Sequence, residues 1–466
     1  MTSPDRVAAG TTPASPMPSK PPSLWRVYVM FLVPMILSNI LQGLSGTLNG
    51  IFIGQMLGTH ALASVAGMFP IVFFFVSLVI GLGAGASVLI GQAWGAQEPG
   101  KVRAITGTAL SLGAIIGGLA AVLGVIFARP AMEALGTPPD VLEGALSYAR
   151  LMMLTMPVLL VFILFTQLLR GVSDTISPLL ALLVSTGVGL VLTPALIQGW
   201  LGLPKLGILS AAVATFVAMV SALVFLAIRL RRMGHVMAPN RKFFAAFRPN
   251  RDILGRVLKI GLPTGVQMVV ISLSELLILN LVNRHGSDAT AAYGAVTQVV
   301  NYIQFPALSI AITASILASQ AIGAGASERL GRILKTGLWL NLMITGGLIV
   351  LGYALSRLFL GLFLTQGEVL ETAQHLLHIM LWSLLVFGFQ GVFGGVMRAS
   401  GEVIIPMLIT IFCIAVVQMG TAYWLDAKLG LEGIWMAIPV AYVCMLLMQG
   451  GFYQGVWRHR EIRRLV

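Results

Sequence analysis

One carboxyl group of this chain lies deep inside an apolar stretch. Glu275 sits in the sequence SLSELLILNLV, and Asn283 with Arg284 marks the end of that stretch about 12 Å further along a helix. A carboxyl group in such a place can exchange a proton, bind Na⁺ or pair with an organic cation. We therefore predict that Glu275 couples an ion to a substrate, with Ser272 and Asn280 as its neighbours. The alternative is a neutral glutamate that hydrogen-bonds to a neighbouring helix.

Polar side chains also follow one face of two other apolar stretches. Four fall at positions i, i+4, i+7 and i+11 of the first stretch, namely Ser38, Gln42, Ser45 and Asn49. Three fall at i, i+4 and i+7 of the eighth, namely Thr297, Asn301 and Gln304. Because polar groups are costly against lipid, we predict that both faces line one central substrate cavity. Hydrogen bonding between helices of the same half is the alternative.

The elements that must position these residues are membrane-spanning helices. The chain is 57% hydrophobic and 10% charged, whereas soluble proteins contain about 25% charged residues. Apolar stretches of at least about 20 residues, the length of a transmembrane helix, recur along it. If charge clusters mark the loops, twelve spans are predicted: 27–57, 61–93, 104–128, 146–169, 176–199, 206–228, 257–283, 289–322, 333–360, 373–397, 403–425 and 431–457.

The net charge of +13 fits a membrane better than a nucleic-acid partner. If both termini are cytoplasmic, six of the 29 Lys and Arg residues face outward and 23 face the cytoplasm. That asymmetry is the positive-inside bias of membrane proteins. We therefore expect a multi-pass protein embedded in the lipid bilayer, with both termini cytoplasmic and without a nucleic-acid partner.

The chain repeats itself at an offset of 228 residues. GQAWGA at 91–96 matches SQAIGA at 319–324, and LLRGVSDTISPLL at 168–180 matches VMRASGEVIIPML at 396–408. Six spans per copy give both copies the same orientation in the membrane. The predicted fold class is therefore an all-α polytopic membrane protein, with twelve transmembrane helices in two parallel-repeat six-helix bundles around a central cavity.

This organisation predicts five segments. A disordered cytoplasmic tail rich in Pro, Ser and Thr comes first, and a basic cytoplasmic connector separates the two lobes. The predicted boundaries are 1–22 for the tail, 23–232 for the first lobe, 233–252 for the connector, 253–457 for the second lobe and 458–466 for a second cytoplasmic tail.

The sequence resembles the multidrug and toxic compound extrusion (MATE) transporters of prokaryotes. The resemblance rests on GLGAGASVLIGQAWGA before a basic loop, LLRGVSDTISP after the fourth span and GLP at the start of the seventh. It implies a secondary active antiporter that exports small, amphipathic and cationic drugs or toxic compounds by rocking-type alternating access. The coupling ion would be Na⁺ or H⁺, and we expect no cofactor, no required protein partner and a monomer.

Two departures from the family pattern concern the coupling site. Asn49 stands where many members have an aspartate that accepts a proton. The sodium-coupled branch pairs a glutamate of the seventh helix with an aspartate of the tenth, and these positions hold Ile271 and Phe387 here, with Gln390 as the nearest polar group. The resemblance therefore implies that Glu275 carries the coupling alone, and we count Gln390 among the cavity residues.

Other functions are disfavoured by the residues present. A flippase or exporter of a lipid-linked or metabolite substrate on the same fold is the alternative, but its usual fourteen spans and basic cavity are absent. An enzyme would need a cluster of titratable groups, and the six His residues are scattered, without a metal-ligand pattern. No G-x-x-x-x-G-K-[ST] loop is present, so this chain is not an ATP-driven pump.

Overall fold

The computed structural model describes residues 23–134, 139–241, 243, 250–364 and 367–466. The predicted disordered tail at 1–22 lies outside the described residues, as do 242 and 244–249 of the predicted connector. The described chain is helical almost throughout. Its helices are α1 (Leu24–Leu57), α2 (Thr59–Gly95), α3 (Pro99–Ala134), α4 (Pro139–Gly171), α5 (Ile176–Gln198), α6 (Leu209–Arg232), α7 (Arg251–Asn283), α8 (Ser287–Gly323), α9 (Leu330–Ala354), α10 (Ser356–Gly361), α11 (Gly367–Leu381), α12 (Ser383–Ala399), α13 (Ile404–Phe412), α14 (Met419–Leu429) and α15 (Leu431–Gly455).

In the part of the chain that the structure describes, these helices form twelve spans that are long and apolar enough to cross a membrane. Helices α1 to α9 contribute nine of them, the short α10 contributes none, and α15 is the twelfth. The tenth span joins α11 to α12 at Trp382, and the eleventh joins α13 to α14 through a π-helical turn at Cys413–Gln418. The predicted fold class is confirmed.

Several helices begin earlier than their predicted spans. Helix α3 starts at Pro99 rather than 104, so Lys101 and Arg103 are helical. The prediction treated charges as loop markers, but charged side chains can remain on a helix where it leaves the membrane. Proline fits the first turn of a helix, where its missing N–H is not needed.

The repeat is visible in the backbone as well as in the sequence. Gly58 immediately precedes α2 with φ 88° and ψ 177°, and Gly286 immediately precedes α8 with φ 98° and ψ 177°. These two glycines are 228 positions apart. Such dihedral angles are accessible only to glycine, so each copy turns between its first two helices in the same way.

Helices α1–α6 form the first lobe and α7–α15 the second. One end of the bundle is the point at which six helices end, namely α2, α4, α6, α8, α12 and α15. We call it the basic face, because it carries Arg103, Arg170, Arg229, Arg256 and Arg460. The other end is the opposite face. The first helix of each lobe crosses onto the other lobe near the basic face.

Two contacts show this crossing. Tyr28 of α1 is fully buried, and its hydroxyl donates to the carbonyl of Ile333 in α9 over 2.9 Å. Helix α7 lies against α2, where a methyl group on Gly85 would approach the backbone nitrogen of Gly261 to 2.6 Å. Glycines permit this close approach of two backbones inside a membrane. The lobes are therefore tightly joined near the basic face.

Candidate functional site

A gap between the lobes begins at mid-membrane depth. Asn39 of α1 donates through Nδ2 to the Ser309 hydroxyl of α8 over 3.0 Å, and a methyl group on Gly43 would touch the ring of Phe305. One and two turns further along α1, methyl groups on Gly46 and Gly50 would have no atom within 4 Å. The lobes therefore separate beyond Gly43, and the gap opens toward the opposite face.

The predicted polar face of α1 divides into three environments. Ser38 is 2% exposed, and its hydroxyl donates to the Pro34 carbonyl over 2.7 Å, so this residue does not face the gap. Gln42 is exposed and Ser45 is half-buried. Asn49 accepts a hydrogen bond from the Thr193 hydroxyl of α5 over 3.3 Å, which holds its side chain within the first lobe.

Two tyrosines connect Glu275 with two of the predicted polar residues of the second lobe, Thr297 and Gln304. The charge of the Glu275 carboxylate acts electrostatically on the hydroxyls of Tyr293 in α8 and Tyr442 in α15. The Tyr293 hydroxyl interacts with the Thr297 side chain, and the Tyr442 hydroxyl interacts with Gln304. We call these five residues the second-lobe polar cluster. It brings together three helices that are separate in the sequence.

Ser272 and Asn280, the predicted neighbours of Glu275, lie on the same helix as this residue. The Ser272 hydroxyl donates to the Met268 carbonyl of its own helix over 3.1 Å. Asn280 follows Glu275 by five residues, is rotated from it by about 140° around the helix axis, and is exposed. The groups on which the charge of Glu275 acts are instead hydroxyls from α8 and α15.

Sequence reasoning missed both tyrosines. Tyr293 precedes Thr297 by four residues, so it extends the polar face of the eighth span by one turn, and the same periodicity could have identified it. Tyr442 lies alone in an apolar stretch. A hydroxyl in such a stretch needs a partner, but its position along the sequence does not say which one.

The tenth span places an aromatic ring beside this cluster. Phe387 packs against Tyr442 with ring centroids 5.3 Å apart. The ring therefore occupies the position where the family resemblance would put a second carboxylate. Gln390 and Asn301 are half-buried, and these two remain predicted cavity residues.

A second polar group, not predicted from the sequence, lies nearer the basic face of the second lobe. The Thr410 hydroxyl accepts from Gln267 Nε2 over 3.2 Å and from Gln449 Nε2 over 3.3 Å. These side chains come from α13, α7 and α15, so the group ties three helices of one lobe together. Both amides donate to the same hydroxyl, while Gln449 Oε1 is buried without a hydrogen-bond partner among the described residues. Polar side chains of this kind act as contacts between transmembrane helices.

The donor set limits what cation could bind. Within the described part of the chain, no three His, Cys, Asp or Glu side chains come together to hold a metal ion. A cation at Glu275 would have one carboxylate and neutral oxygens around it. That arrangement suits a proton, Na⁺ or an organic cation that must also be released, rather than a tightly held divalent metal.

Comparison with known proteins agrees with the internal repeat. A model of the MatE family matches the chain twice, over residues 34–195 and 263–424. The two matched segments start 229 positions apart, one more than the offset of the sequence repeat. Each lobe therefore contains one copy of the same family unit.

Relatives and solved structures match over nearly the whole chain. The probable multidrug resistance protein YoeA of Bacillus subtilis is 40% identical over 447 residues, which cover 96% of each protein. The multidrug export protein MepA of Staphylococcus aureus is 24% identical over 426 residues, covering 91% of this chain and 92% of MepA. The fold is similar to that of the MATE transporter VcmN of Vibrio cholerae, with a TM-score of 0.87, 19% identity, and coverage of 94% of this chain and 98% of VcmN.

Proposed function

This chain belongs to the MatE family of transporters, and on that premise we propose that it is a secondary active antiporter for drugs. It would export amphipathic, cationic drugs or toxic organic compounds across the bacterial inner membrane in exchange for Na⁺ or H⁺. The names of two relatives, a probable multidrug resistance protein and a multidrug export protein, support drugs as the substrate class. Both chain termini would lie in the cytoplasm, on the side of the basic face, in accordance with the charge bias.

The observation that carries this proposal is the position of Glu275. It is an acidic residue inside its transmembrane helix, it keeps an exposed surface, and its charge acts on two tyrosine hydroxyls from other helices. An isolated carboxylate at membrane depth attracts one positive charge at a time. An inorganic ion and a cationic drug would therefore compete for it, and competition of this kind is what exchange requires.

Alternating access supplies the rest of the mechanism. In the state described here the lobes meet near the basic face and separate toward the opposite face, which corresponds to an outward-open transporter. Ion binding at Glu275 would displace the drug to the outside. Rocking of the two parallel repeats would then expose the same cavity to the cytoplasm, where drug would displace the ion.

The test is ethidium transport by everted membrane vesicles, driven separately by a Na⁺ gradient and a proton gradient. We expect wild type to transport with at least one gradient. Glu275→Gln should reduce ion-driven transport at least about 100-fold, equivalent to roughly 2.7 kcal/mol. Glu275→Asp should keep part of the activity, because it keeps the carboxylate.

The matched control is Glu143→Gln, which removes an exposed carboxylate that pairs with Arg129 at the opposite face. This variant should transport like wild type. If Glu275→Gln transports as fast as the control under both gradients, Glu275 is a structural residue and the proposed coupling is wrong.

A further inference from the structure

The two lobes exchange one equivalent hydrogen bond each at the basic face. Gln92 of α2 donates through Nε2 to the carbonyl of Ala399, where α12 ends, over 2.8 Å. Gln320 of α8 donates to the carbonyl of Gly171, where α4 ends, over 3.0 Å. Donors and acceptors are both 228 positions apart. We call this pair of interactions the gate bonds, since each of them runs from one lobe to the other.

The gate bonds depend on direct contact between the backbones of α2 and α8. A side chain on Gly95 would overlap the carbonyl group of Gln320, and a side chain on Gly323 would overlap that of Gln92. The lobes cannot come closer here, and any separation of them at this face would break both gate bonds. The pair therefore marks the closed state of the basic face.

The segment that follows the last helix is fixed to the second lobe at its start. Trp457 stacks on Tyr453 with ring centroids 5.0 Å apart, and its Nε1 donates to the Ser400 hydroxyl over 3.0 Å. Arg460 then pairs with Glu402 over 2.9 Å. From this fixed point the chain leads toward the first lobe.

The end of the segment reaches the gate bond of the first lobe. The Leu465 backbone N–H donates to Gln92 Oε1 over 2.7 Å, and the Leu465 carbonyl accepts from Arg256 of α7. The side chains of Leu465 and Val466 pack against a core cluster formed mainly by the first lobe, which also includes Val257 and Val403 of the second lobe. Leu465 also lies beside Gly401 of the second lobe. Gln92 thus binds two parts of the second lobe with the two atoms of one amide.

The other gate bond lacks this addition. The Gln320 amide nitrogen donates to Ser173 over 2.8 Å as well as to Gly171, so its partners lie at the end of α4 and in the loop that follows. The asymmetry assigns a separate role to the segment at 461–466, because the repeat alone already closes the face.

We propose that residues 461–466 form a strap that holds the basic face closed, and that the strap must leave Gln92 before the cavity can open on that side. The strap is fixed to one lobe and released from the other, so it biases the equilibrium toward the outward-open state. This inference rests on the proposed alternating-access function, and it adds a regulatory element outside the transmembrane repeats.

The test measures the distance across the basic face in the full-length chain. Spin labels are placed at Lys101→Cys and Arg329→Cys, two exposed positions 228 residues apart, in a Cys413→Ala, Cys444→Ala background. Double electron–electron resonance is recorded for wild type and for Leu465→Asp in this background. We expect Leu465→Asp to raise the ratio of long to short distances at least about 10-fold, because a partly buried leucine that packs on the core is replaced by a charge.

Arg463→Ala is the matched control, because Arg463 belongs to the same segment and pairs only with exposed Glu461 over 3.0 Å. Its distances should equal those of wild type. If Leu465→Asp fails to fold, a chain that ends at Glu461 replaces it, and the same change is expected.

Wild type is also measured with saturating ethidium. If ethidium changes the wild-type distances while Leu465→Asp alone does not, the strap is wrong and alternating access stands. If ethidium leaves the wild-type distances unchanged, the proposed alternating access is wrong, and the proposed strap, which depends on it, is wrong as well.

Discussion

The two lobes descend from one repeat but differ at their centres. In the second lobe, Glu275 faces Tyr293 and Tyr442 across three helices. At the repeat offset of 228, the first lobe has Thr47 in place of the glutamate and Val65 in place of Tyr293. The Thr47 hydroxyl donates to the Gly43 carbonyl of its own helix over 3.1 Å. The first lobe therefore has the same helical repeat as the second lobe, but no carboxylate at the position equivalent to Glu275.

At the basic face the transmembrane helices of the two lobes make equivalent contacts. Each contributes a glutamine that bonds to a helix end of the other lobe, and each contributes a glycine at the backbone contact. In the proposed mechanism, a rocking motion needs matching surfaces on both lobes, whereas ion exchange needs only one charge. Symmetry is kept where the lobes would move against each other and is lost where the ion would bind.

The largest expected effect comes from moving the charge between the lobes. In a Glu275→Gln background, Thr47→Glu places a carboxylate at the equivalent depth of α1, where Val65 stands instead of a tyrosine. We expect ion-driven ethidium transport to stay about 100-fold below wild type, since Val65 supplies no hydroxyl and the interaction of a hydroxyl with a charge is worth roughly 1.5–3 kcal/mol. Recovery of transport in vesicles would show that the lobes are interchangeable and would contradict the comparison.

The shared gate predicts equal losses of stability in both lobes. Gly95→Ala and Gly323→Ala each introduce a methyl group against a carbonyl, which should cost roughly 1–3 kcal/mol. The thermal unfolding midpoint of the purified protein measures both. Gly118→Ala in α3 is the control, because it has no atom within 4 Å of the added methyl group. A loss confined to one of the two gate variants would argue against a symmetric gate.

The two tyrosines of the second-lobe polar cluster should tune ion binding. Tyr293→Phe and Tyr442→Phe each remove a hydroxyl near the carboxylate, and we expect each to raise the ion concentration for half-maximal transport about 10-fold. Tyr148→Phe removes a buried hydroxyl in the first lobe and should leave that concentration unchanged. If all three variants behave alike, the hydroxyls near Glu275 have no special role.

The smallest effect concerns the acids after α4 and after α12. Asp174 lies 3.8 Å from His235, whereas the equivalent Glu402 pairs with Arg460. Burial lowers the pKa of His235, and this outweighs the opposing effect of Asp174. The unfolded chain then binds the proton more readily, so stability should fall as pH decreases through about 6.5.

His235→Phe removes this titration and should flatten the dependence of the unfolding midpoint on pH between pH 7 and 5. An equivalent substitution in the second lobe, Arg460→Met, should leave the slope as in wild type, because arginine does not titrate in this range. A wild-type midpoint that rises on acidification would contradict the sign.

The sequence was sufficient for the features that lipid imposes on every part of the chain. The twelve spans and the repeat follow from helix length and from the match of Gln92 with Gln320. The deep position of Glu275 follows from the same argument. Its partners do not, because Tyr293 and Tyr442 reach it from helices that are distant in sequence, and their approach depends on helix packing.

Helix rotation also decided which polar residues face the gap. Ser38 belongs to the predicted polar face of α1 but is buried, because this part of α1 crosses onto the second lobe. The periodicity shows which residues share a face of a helix, but it does not show which other helices that face contacts. For the segment that contains the strap at 461–466, the sequence predicts only a cytoplasmic tail, because the composition of a short basic segment does not reveal its binding partner.

The measurement closest to the central claim is the release of an ion when drug binds to the purified protein. Ethidium is added to wild type and to Glu275→Gln in weakly buffered detergent solution, and proton release and Na⁺ displacement are recorded together. The account predicts that wild type releases close to one ion of a single kind per drug bound, and that Glu275→Gln releases none. Drug binding without ion release in wild type, or equal release from both proteins, would contradict coupling by a single carboxylate of the second lobe.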